Sequence, residues 1–300
     1  MSHPRLSLVL DAPEALPADG RIAVYRATAA TDLSDLPKDR LQIIQGFAPD
    51  HAALVARGYD VVPAASGDFA AAVVFLPRAK AEARALLAEA AVRVAPGGPV
   101  WVDGAKHDGV DSVLKDLRAR VPVSPAIAKA HGKIFSFAAD PAPLAEWAAQ
   151  PGTPAPGFQT LPGVFSADGV DRGSALLAEV LPAKLPGRVA DLGAGWGWLS
   201  AQVLTRAGVE TLDLIEAEHA ALECAKFNIS DPRARFIWAD ATQFVPETRY
   251  MAIVMNPPFH TQRAADPGLG AAFIRAAAGM LRSEERRVGK ECRSGWSPYH

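Results

Sequence analysis

Short apolar segments alternate with longer alanine-rich segments in the first half of the chain. The short segments predict strands at Ile22–Tyr25, Leu41–Ile44, Ala71–Leu76 and Pro99–Val102. Between the last two of these strands, apolar residues recur three and four positions apart, which predicts a helix over Lys80–Val94. Alternation of strand and helix is typical of an α/β domain built on a parallel sheet.

The second half of the chain repeats this alternation. Strands are predicted at Arg188–Leu192, Thr211–Ile215, Arg235–Trp238 and Met251–Met255. Helices are predicted at Trp198–Ala207, Glu218–Asn228 and Ala271–Leu281. We therefore expect a second parallel sheet with helices on both of its faces.

Proline and glycine are concentrated between the two halves, above all in Pro151–Gly157. This composition is typical of a linker between folded domains. We expect a first domain over residues 1–150, a linker over 151–160 and a second domain over 161–282.

The two halves also resemble each other, since in each an apolar strand with a proline behind it leads into an alanine-rich helix. An internal duplication is therefore indicated. Where the second half has Asn256-Pro257-Pro258, the first half has Leu76-Pro77-Arg78, and it has no comparable glycine turn after a strand. We interpret the first domain as a copy that kept the fold and lost the chemistry.

The C-terminal segment 283–300 shows no strand pattern, although the first half turns through Pro96-Gly97-Gly98 into a new strand at the corresponding point. The segment resembles the translation of a sequencing adapter. We expect it to be non-native and the second domain to lack its last strands. The alternative is a basic arm that binds RNA.

Composition narrows the class of protein. The chain has 300 residues, of which 49% are hydrophobic and 21% charged, and a formal net charge of −2, so a globular protein without a global basic field is indicated. Two cysteines cannot form a disulfide framework, which favours a reducing cytoplasm. The N-terminal segment Met1–Leu10 is too short in apolar length for a signal peptide, and no apolar run approaches the length of a membrane span, so we expect no membrane partner.

A glycine turn follows the first predicted strand of the second half. The segment Asp191-Leu-Gly193-Ala-Gly195-Trp-Gly197 lets the backbone take positive φ and approach a ligand closely, where a Cβ would collide. A G-x-G-x-G spacing with an acid two residues ahead differs from the G-x-G-x-x-G of dinucleotide enzymes. We predict that Asp191 and the three glycines bind a nucleotide-like cofactor; the alternative is a tight turn without a ligand.

Acids also end the next two predicted strands. Glu216 lies where a carboxylate accepts hydrogen bonds from ribose hydroxyls in nucleotide-binding folds. Asp240 is predicted to accept from an adenine amine while the Ala241 N–H donates to the ring. The alternatives are a solvated acid for Glu216 and a helix N-cap for Asp240.

The fourth predicted strand of this half ends in Asn256-Pro257-Pro258-Phe259. An aromatic exocyclic amine is a poor nucleophile, and two acceptors, the Asn256 side-chain oxygen and the Pro257 carbonyl, align it and draw its lone pair out of conjugation. Phe259 can stack on the base, and His260 is either a proton carrier or a surface histidine. The two motifs together indicate methyl transfer from S-adenosylmethionine to nitrogen, which requires no metal.

At these residues the chain resembles the class I methyltransferases, and more specifically the bacterial ribosomal RNA guanine-N2 methyltransferases of the small subunit. The segment Leu161–Ser174 is the most specific match, and the glycine turn and Asn256–His260 complete it. The resemblance extends through Leu281. It implies two tandem Rossmann-like methyltransferase domains in an α/β fold, the N-terminal one degenerate and concerned with RNA recognition.

The resemblance also implies a substrate and further site residues. A guanine of 16S rRNA is expected to be flipped into the pocket and methylated on N2. Phe165 and Asp168 are expected to line the cofactor site; the alternative is that they only form the entry to a helix. A local basic segment, with only Asp116 opposing it, supports RNA contact or is a solvated surface. Its members are Lys115, Arg118, Arg120, Lys129 and Lys133.

Other functions remain open at this point. The same Asn-Pro-Pro-aromatic motif serves methylation of release-factor glutamine and of DNA bases, although those enzymes usually carry a different second domain. A non-catalytic RNA-binding or assembly protein with a vestigial cofactor pocket is a further alternative. We expect a monomer that acts on ribosomal RNA or the small ribosomal subunit.

Overall fold

The computed structural model describes residues 5–12, 14–257, 260–261, 264–265 and 267–282. It divides the chain into two units, Met1–Pro151 and Gly152–His300. The residues 258–259 and 283–300, which include Phe259 and the segment expected to be non-native, lie outside the described part.

The N-terminal unit is built on a sheet of seven strands. The strands are β1 (Ile22–Tyr25), β2 (Leu41–Ile44), β3 (Asp60–Val62), β4 (Ala71–Phe75), β5 (Pro99–Ala105), β6 (Ile127–Lys129) and β7 (Gly132–Ala138), in the spatial order β3-β2-β1-β4-β5-β7-β6. The helices are α1 (Leu6–Leu10), α2 (Ala48–Ala56), α3 (Lys80–Arg93) and α4 (Val110–Arg118), with 3₁₀ turns at Lys38–Arg40, Lys106–Asp108 and Ala142–Trp147.

Burial explains why these segments take these structures. Every residue of β1, β2 and β4 is buried, as expected for central strands of a sheet covered on both faces. In α4 the buried residues Val110, Val113, Leu114 and Leu117 recur at the spacing of one helix face.

The C-terminal unit has a four-stranded parallel sheet. Its strands are β8 (Arg188–Leu192), β9 (Thr211–Glu216), β10 (Ala234–Trp238) and β11 (Ala252–Met255), in the spatial order β10-β9-β8-β11. The helices are α5 (Arg172–Val180), α6 (Trp198–Leu204), α7 (His219–Asn228) and α8 (Pro267–Met280), and a separate antiparallel pair joins β12 (His260–Thr261) to β13 (Ala264–Ala265).

The predicted α/β class and the tandem arrangement are confirmed, with small errors at the ends of elements. Helix α6 ends at Leu204 rather than Ala207, and β5 runs three residues past Val102. The antiparallel pairing of β7 with β5 and β6 was not predicted. Helix α5 was also missed, because its short apolar stretch follows a glycine.

Strand register corrects the comparison of the two halves by one residue. Tyr25 pairs with Val74 in the first sheet, and Leu192 pairs with Met255 in the second. The residue that follows Val74 is Phe75, so Phe75 and not Leu76 is the equivalent of Asn256. The alignment on the shared proline misled the sequence comparison, because only pairing to a neighbouring strand fixes equivalence in a sheet.

No helix in the described part of the chain is long and apolar enough to cross a membrane.

Candidate functional site

The site lies at the carboxyl ends of two adjacent parallel strands, β8 and β11. Leu192 and Met255, the last residues of these strands, are directly paired, so the turn after β8 and Asn256 after β11 are neighbours. Between them is a pocket of about 440 Å³ of empty space, part of it open to solvent. In open α/β sheets the carboxyl ends of neighbouring strands are where ligands bind.

Two of the three glycines line this pocket and the third has a packing role. Gly193 and Gly195 have φ values of 74° and 56°, and a Cβ on Gly195 would enter open space. Gly197 also has positive φ, but its Cβ would lie 2.9 Å from Ile229 Cδ1. Gly197 is therefore needed because α7 and the residue after it pack against the turn, and it is not among the described residues that line the pocket.

Asp191 is a buried carboxylate at the edge of the pocket. Its side chain is 1% exposed and accepts a hydrogen bond of 2.7 Å from the Ser200 hydroxyl. The pKa of Asp191 is raised to about 7, mainly by burial and to a lesser extent by the nearby Glu216 charge, while the Ser200 hydrogen bond opposes the shift. Both the protonated and the ionised form of Asp191 are therefore populated near neutral pH.

Glu216 supports the glycine turn from the end of β9. Its two carboxylate oxygens accept hydrogen bonds from the Gly195 N–H at 2.8 Å and from the Glu218 N–H at 2.7 Å. Burial raises the pKa of Glu216, although these backbone bonds lower it. Its carboxylate lies one hydrogen bond away from the lining of the pocket.

Asp240, at the end of the next strand, forms a local turn. Its Oδ1 accepts from both the backbone N–H and the hydroxyl of Thr242, at 2.8 and 2.7 Å. The following Ala241 is buried. Neither residue is among those that line the described pocket, so their proposed contact with adenine remains a prediction.

The side-chain amide of Asn256 lines the pocket and is held on its nitrogen side. Its Nδ2 donates to Asp171 Oδ2 at 2.7 Å and to Ser174 Oγ at 2.9 Å. Oδ1 accepts no hydrogen bond from the residues that the structure describes. Pro257 follows Asn256 at the same strand end, whereas Phe259 and the side chain of His260 lie outside the described residues.

Comparison with known proteins assigns a family to this site. The domain family "Methyltransferase small domain" matches residues 156–286, and "Methyltransferase small domain N-terminal" matches residues 45–146. The ribosomal RNA small subunit methyltransferase C of Pseudomonas paraeruginosa is 33% identical over 225 residues, which cover 72% of this chain and 67% of that protein. The protein of the same name from Pseudomonas putida is 31% identical over 259 residues, covering 81% and 76% of the two chains.

The chain belongs to the ribosomal RNA small subunit methyltransferase C family. A solved structure agrees: the T. thermophilus 16S rRNA N2 methyltransferase in complex with AdoMet and guanosine matches with a TM-score of 0.72 and 25% identity, over 93% of this chain and 81% of that one. The predicted enzyme class and tandem methyltransferase fold are thus confirmed.

In this methyltransferase, the segment before α5 is tied to the glycine turn. The indole N–H of Trp196 donates to the Phe165 carbonyl at 3.1 Å, and the Asn228 side chain bonds both the N–H and the carbonyl of Gln159. Phe165 is 67% exposed and lines the described pocket, and its predicted contact with the cofactor remains a prediction. Asp168 is exposed and is not among the lining residues of the described pocket.

Asp171 and Ser174 line the pocket of the methyltransferase and were missed by the sequence analysis. Asp171 is the N-cap of α5, and its Oδ2 accepts from the Ser174 N–H at 2.9 Å. An Asp three residues ahead of a Ser at the start of an apolar helix is a capping pattern that could have located both residues. It could not have revealed their bond to Asn256.

The basic segment of the N-terminal unit is more neutralised than predicted. Lys133 pairs with Asp111 at 2.6 Å and Arg120 pairs with Glu146 at 3.1 Å. Asp116, the acid expected to oppose the segment, pairs instead with two other cations, Lys80 and Arg84. The prediction of a single opposing acid was therefore wrong, because the fold brings Asp111 to Lys133 and Glu146 to Arg120 across 22 and 26 residues of sequence.

Proposed function

We propose that this protein transfers a methyl group from S-adenosylmethionine to the exocyclic N2 of a guanine in 16S rRNA. The observation that carries the proposal is the meeting of Asn256 with the Gly193–Gly195 turn in one pocket, on directly paired strands. The relatives named above are ribosomal RNA methyltransferases, and the T. thermophilus structure contains both a cofactor and guanosine.

The residues of the pocket fit S-adenosylmethionine. At Gly195 the turn presents backbone where a Cβ would fill open space, so a ligand can approach the chain closely. Asp191 places a buried carboxylate at the pocket, which suits a ligand that carries positive charge. Glu216 remains our candidate for the ribose hydroxyls, with Asp240 and Ala241 for the adenine.

S-adenosylmethionine supplies, when bound, a methyl group activated by a positively charged sulfur. The protein's part is to place the acceptor nitrogen. The guanine amine donates its two hydrogens to Asn256 Oδ1 and to the Pro257 carbonyl, which orients the nitrogen lone pair. Positioning of this kind contributes roughly 7–11 kcal/mol to lowering a barrier. We propose that Phe259 stacks on the base, and that the surplus proton leaves to solvent after attack.

Two structural facts support ribosomal RNA over the other substrates of this motif. The chain matches both the N-terminal and the C-terminal methyltransferase family, over residues 45–146 and 156–286. The two sheets also have the same central strand order. We further propose that the enzyme acts as a monomer in the cytoplasm, where its RNA substrate is found.

The test is direct. The chain is incubated with S-adenosylmethionine and small ribosomal subunits or 16S rRNA, and the nucleosides are analysed by mass spectrometry. We expect N2-methylguanosine in the product and saturable binding of the cofactor by calorimetry. Methylation of another atom would refute the assignment to N2, and absence of cofactor binding would refute the function.

A further inference from the structure

The N-terminus of α5 is built around the side-chain amide of Asn256. Asp171 Oδ2 accepts two hydrogen bonds at once, from the Ser174 N–H at 2.9 Å and from Asn256 Nδ2 at 2.7 Å. The Ser174 hydroxyl receives the second hydrogen of the Asn256 amide at 2.9 Å. The contact joins positions 82 and 85 residues apart in sequence, so it is not a local turn.

The chemistry of these partners decides which end of the amide faces the pocket. An ionised carboxylate only accepts hydrogen bonds, whereas a hydroxyl can donate or accept. Asp171 therefore requires the NH₂ end of Asn256, and Ser174 alone would tolerate either end. With Nδ2 engaged, Oδ1 is the end left for a donor in the pocket.

Gly173 completes the arrangement by leaving room for the amide. A Cβ at this position would lie 3.0 Å from Asn256 Oδ1 and 3.0 Å from Asp171 Oδ2. These distances are shorter than ordinary van der Waals contact, so any side chain here would displace the amide or the carboxylate. Gly169, four residues earlier, faces open space and is under no such constraint.

We propose that Asp171 is a positioning residue, which with Ser174 and Gly173 fixes the Asn256 amide so that its oxygen and not its NH₂ faces the acceptor amine. The inference rests on the proposed function, because an amine substrate needs an acceptor at this place. If the amide were reversed, the Asn256 NH₂ group would face the NH₂ group of the substrate, and two hydrogen-bond donors would oppose each other. In this role Asp171 acts through its hydrogen bond to Asn256.

The first experiment observes the amide itself and needs no substrate. The chain contains two asparagines, Asn228 and Asn256, so ¹⁵N-asparagine labelling gives two pairs of side-chain amide signals in an NMR spectrum. Loss of one pair in Asn256→Ala assigns it. We expect Asp171→Ala to shift the Asn256 pair and speed its exchange with water, while the Asn228 pair stays in place. An unchanged Asn256 pair would overturn the inference.

The second experiment separates positioning from helix capping. Serine caps helices well but its side chain is shorter, so Asp171→Ser keeps the bond to Ser174 N–H and loses the reach to Asn256. We expect its kcat to fall about 10- to 100-fold with cofactor affinity unchanged, since small misplacements of a reacting group are costly. Asp171→Asn keeps an acceptor oxygen and should restore most of the rate. Equal kcat in Asp171→Ser and the wild type would overturn the proposal.

The third experiment uses a substitution that should not harm the fold. Alanine is a better helix former than glycine by about 1 kcal/mol, which opposes the cost of displacing the amide or the carboxylate by a few tenths of an ångström. We therefore expect Gly173→Ala to change Tm little while kcat falls about tenfold. Gly169→Ala is the matched control and should keep full activity. A wild-type chain that binds cofactor but methylates nothing would refute the proposed function, whereas a fully active Gly173→Ala enzyme would refute only this inference.

Discussion

The central strands of the N-terminal and C-terminal sheets run in the same order, but the residues at their ends differ. Asn256 at the end of β11 lines the described pocket, whereas its equivalent Phe75 is apolar and buried. An equivalent backbone hydrogen bond occurs in each sheet and allows the two sheets to be aligned. Arg26 N–H donates to the Ile44 carbonyl at 2.9 Å, and Gly193 N–H donates to the Ile215 carbonyl at 2.8 Å. With strand register, this bond defines equivalent residues. The pairs, N-terminal residue first, are Val24 and Asp191, Arg26 and Gly193, Gln45 and Glu216, and Phe75 and Asn256.

The N-terminal unit has the same strand-end backbone conformation as the C-terminal unit, although its side chains at the equivalent positions differ. Arg26 keeps a left-handed φ of 61°, close to the 74° of Gly193, although this conformation is costly for a residue with a Cβ. A sheet is stabilised by main-chain pairing and apolar burial, neither of which depends on the pocket residues. The comparison shows that the strand-end turn is a property of the fold, while cofactor binding needs specific side chains.

Gln45 and Glu216 show how small the decisive difference is. The side-chain oxygen of each accepts a hydrogen bond from the backbone N–H two residues later in the sequence, which is that of Phe47 at 2.9 Å and that of Glu218 at 2.7 Å. The other end of Gln45 donates to the Ala27 carbonyl, whereas the other end of Glu216 accepts from the Gly195 N–H. An amide therefore suits a turn that presents a carbonyl, and a carboxylate suits a turn that presents N–H groups.

The largest effect is expected at the Asn256 and Phe75 pair. Asn256→Ala should lower kcat by about 10²–10³-fold, because it removes a positioned polar group. Cofactor affinity and Tm should change little. Phe75 is buried, so Phe75→Ala should instead destabilise the protein by about 3–5 kcal/mol. Steady-state kinetics and thermal unfolding of both variants test the contrast; an Asn256→Ala enzyme with normal kcat would break it.

The Asp191 and Val24 pair predicts a pH effect on stability. The pKa of Asp191 is 3.8 in the unfolded state and about 7 in the folded state. Between these two pH values the folded protein therefore binds more protons than the unfolded chain. The contribution of Asp191 to the free energy of unfolding should therefore fall as pH rises through the window, by a few kcal/mol, and be lowest above it.

Asp191→Asn is the variant that isolates this effect, since it keeps an acceptor for Ser200 but cannot ionise. We expect its stability, relative to the wild type, to rise with pH across the same window. Denaturant unfolding at a series of pH values measures the difference. Parallel curves for the two proteins would show that Asp191 is not buried as described.

Exchange of Gln45 and Glu216 should have a smaller effect with opposite consequences in the two units. Glu216→Gln leaves the Gly195 N–H facing a donor or unpaired, which costs about 1–3 kcal/mol and should weaken cofactor binding by about tenfold. Gln45→Glu sets a carboxylate against the Ala27 carbonyl and should lower Tm without changing cofactor affinity. Calorimetric titration and thermal unfolding distinguish the two outcomes.

The smallest effect is expected at two glycines that both have positive φ, of which one lines the pocket and the other lies in the N-terminal unit. Gly195 and Gly97 have φ values of 56° and 80°, and a Cβ on either would meet nothing within 4 Å. Alanine at each should cost about 1–2 kcal/mol of stability from left-handed strain. Only Gly195→Ala should also weaken cofactor binding; equal affinities in the two variants would count against the pocket.

The sequence alone determined the α/β alternation, the tandem arrangement and the two strand-end motifs. These features depend on local information: hydrophobic period, glycine content and the residues that end a strand. Asp191, Gly193, Gly195 and Asn256 were found in this way, and all four line the pocket. Gly197 was found by the same rule, but the motif could not show that its constraint is packing against Ile229.

Tertiary structure alone decided how the site is supported. The bond between Asp171 and Asn256 cannot be inferred from spacing, because these residues are brought together only by the packing of α5 against the end of the sheet. The equivalence of Phe75 and Asn256 cannot be inferred either, because it depends on how each strand pairs with its neighbour. An amide can satisfy its hydrogen bonds with many partners. Which partner it finds is fixed only when distant elements pack, and here that packing bonds the nitrogen of the Asn256 amide to Asp171 and Ser174.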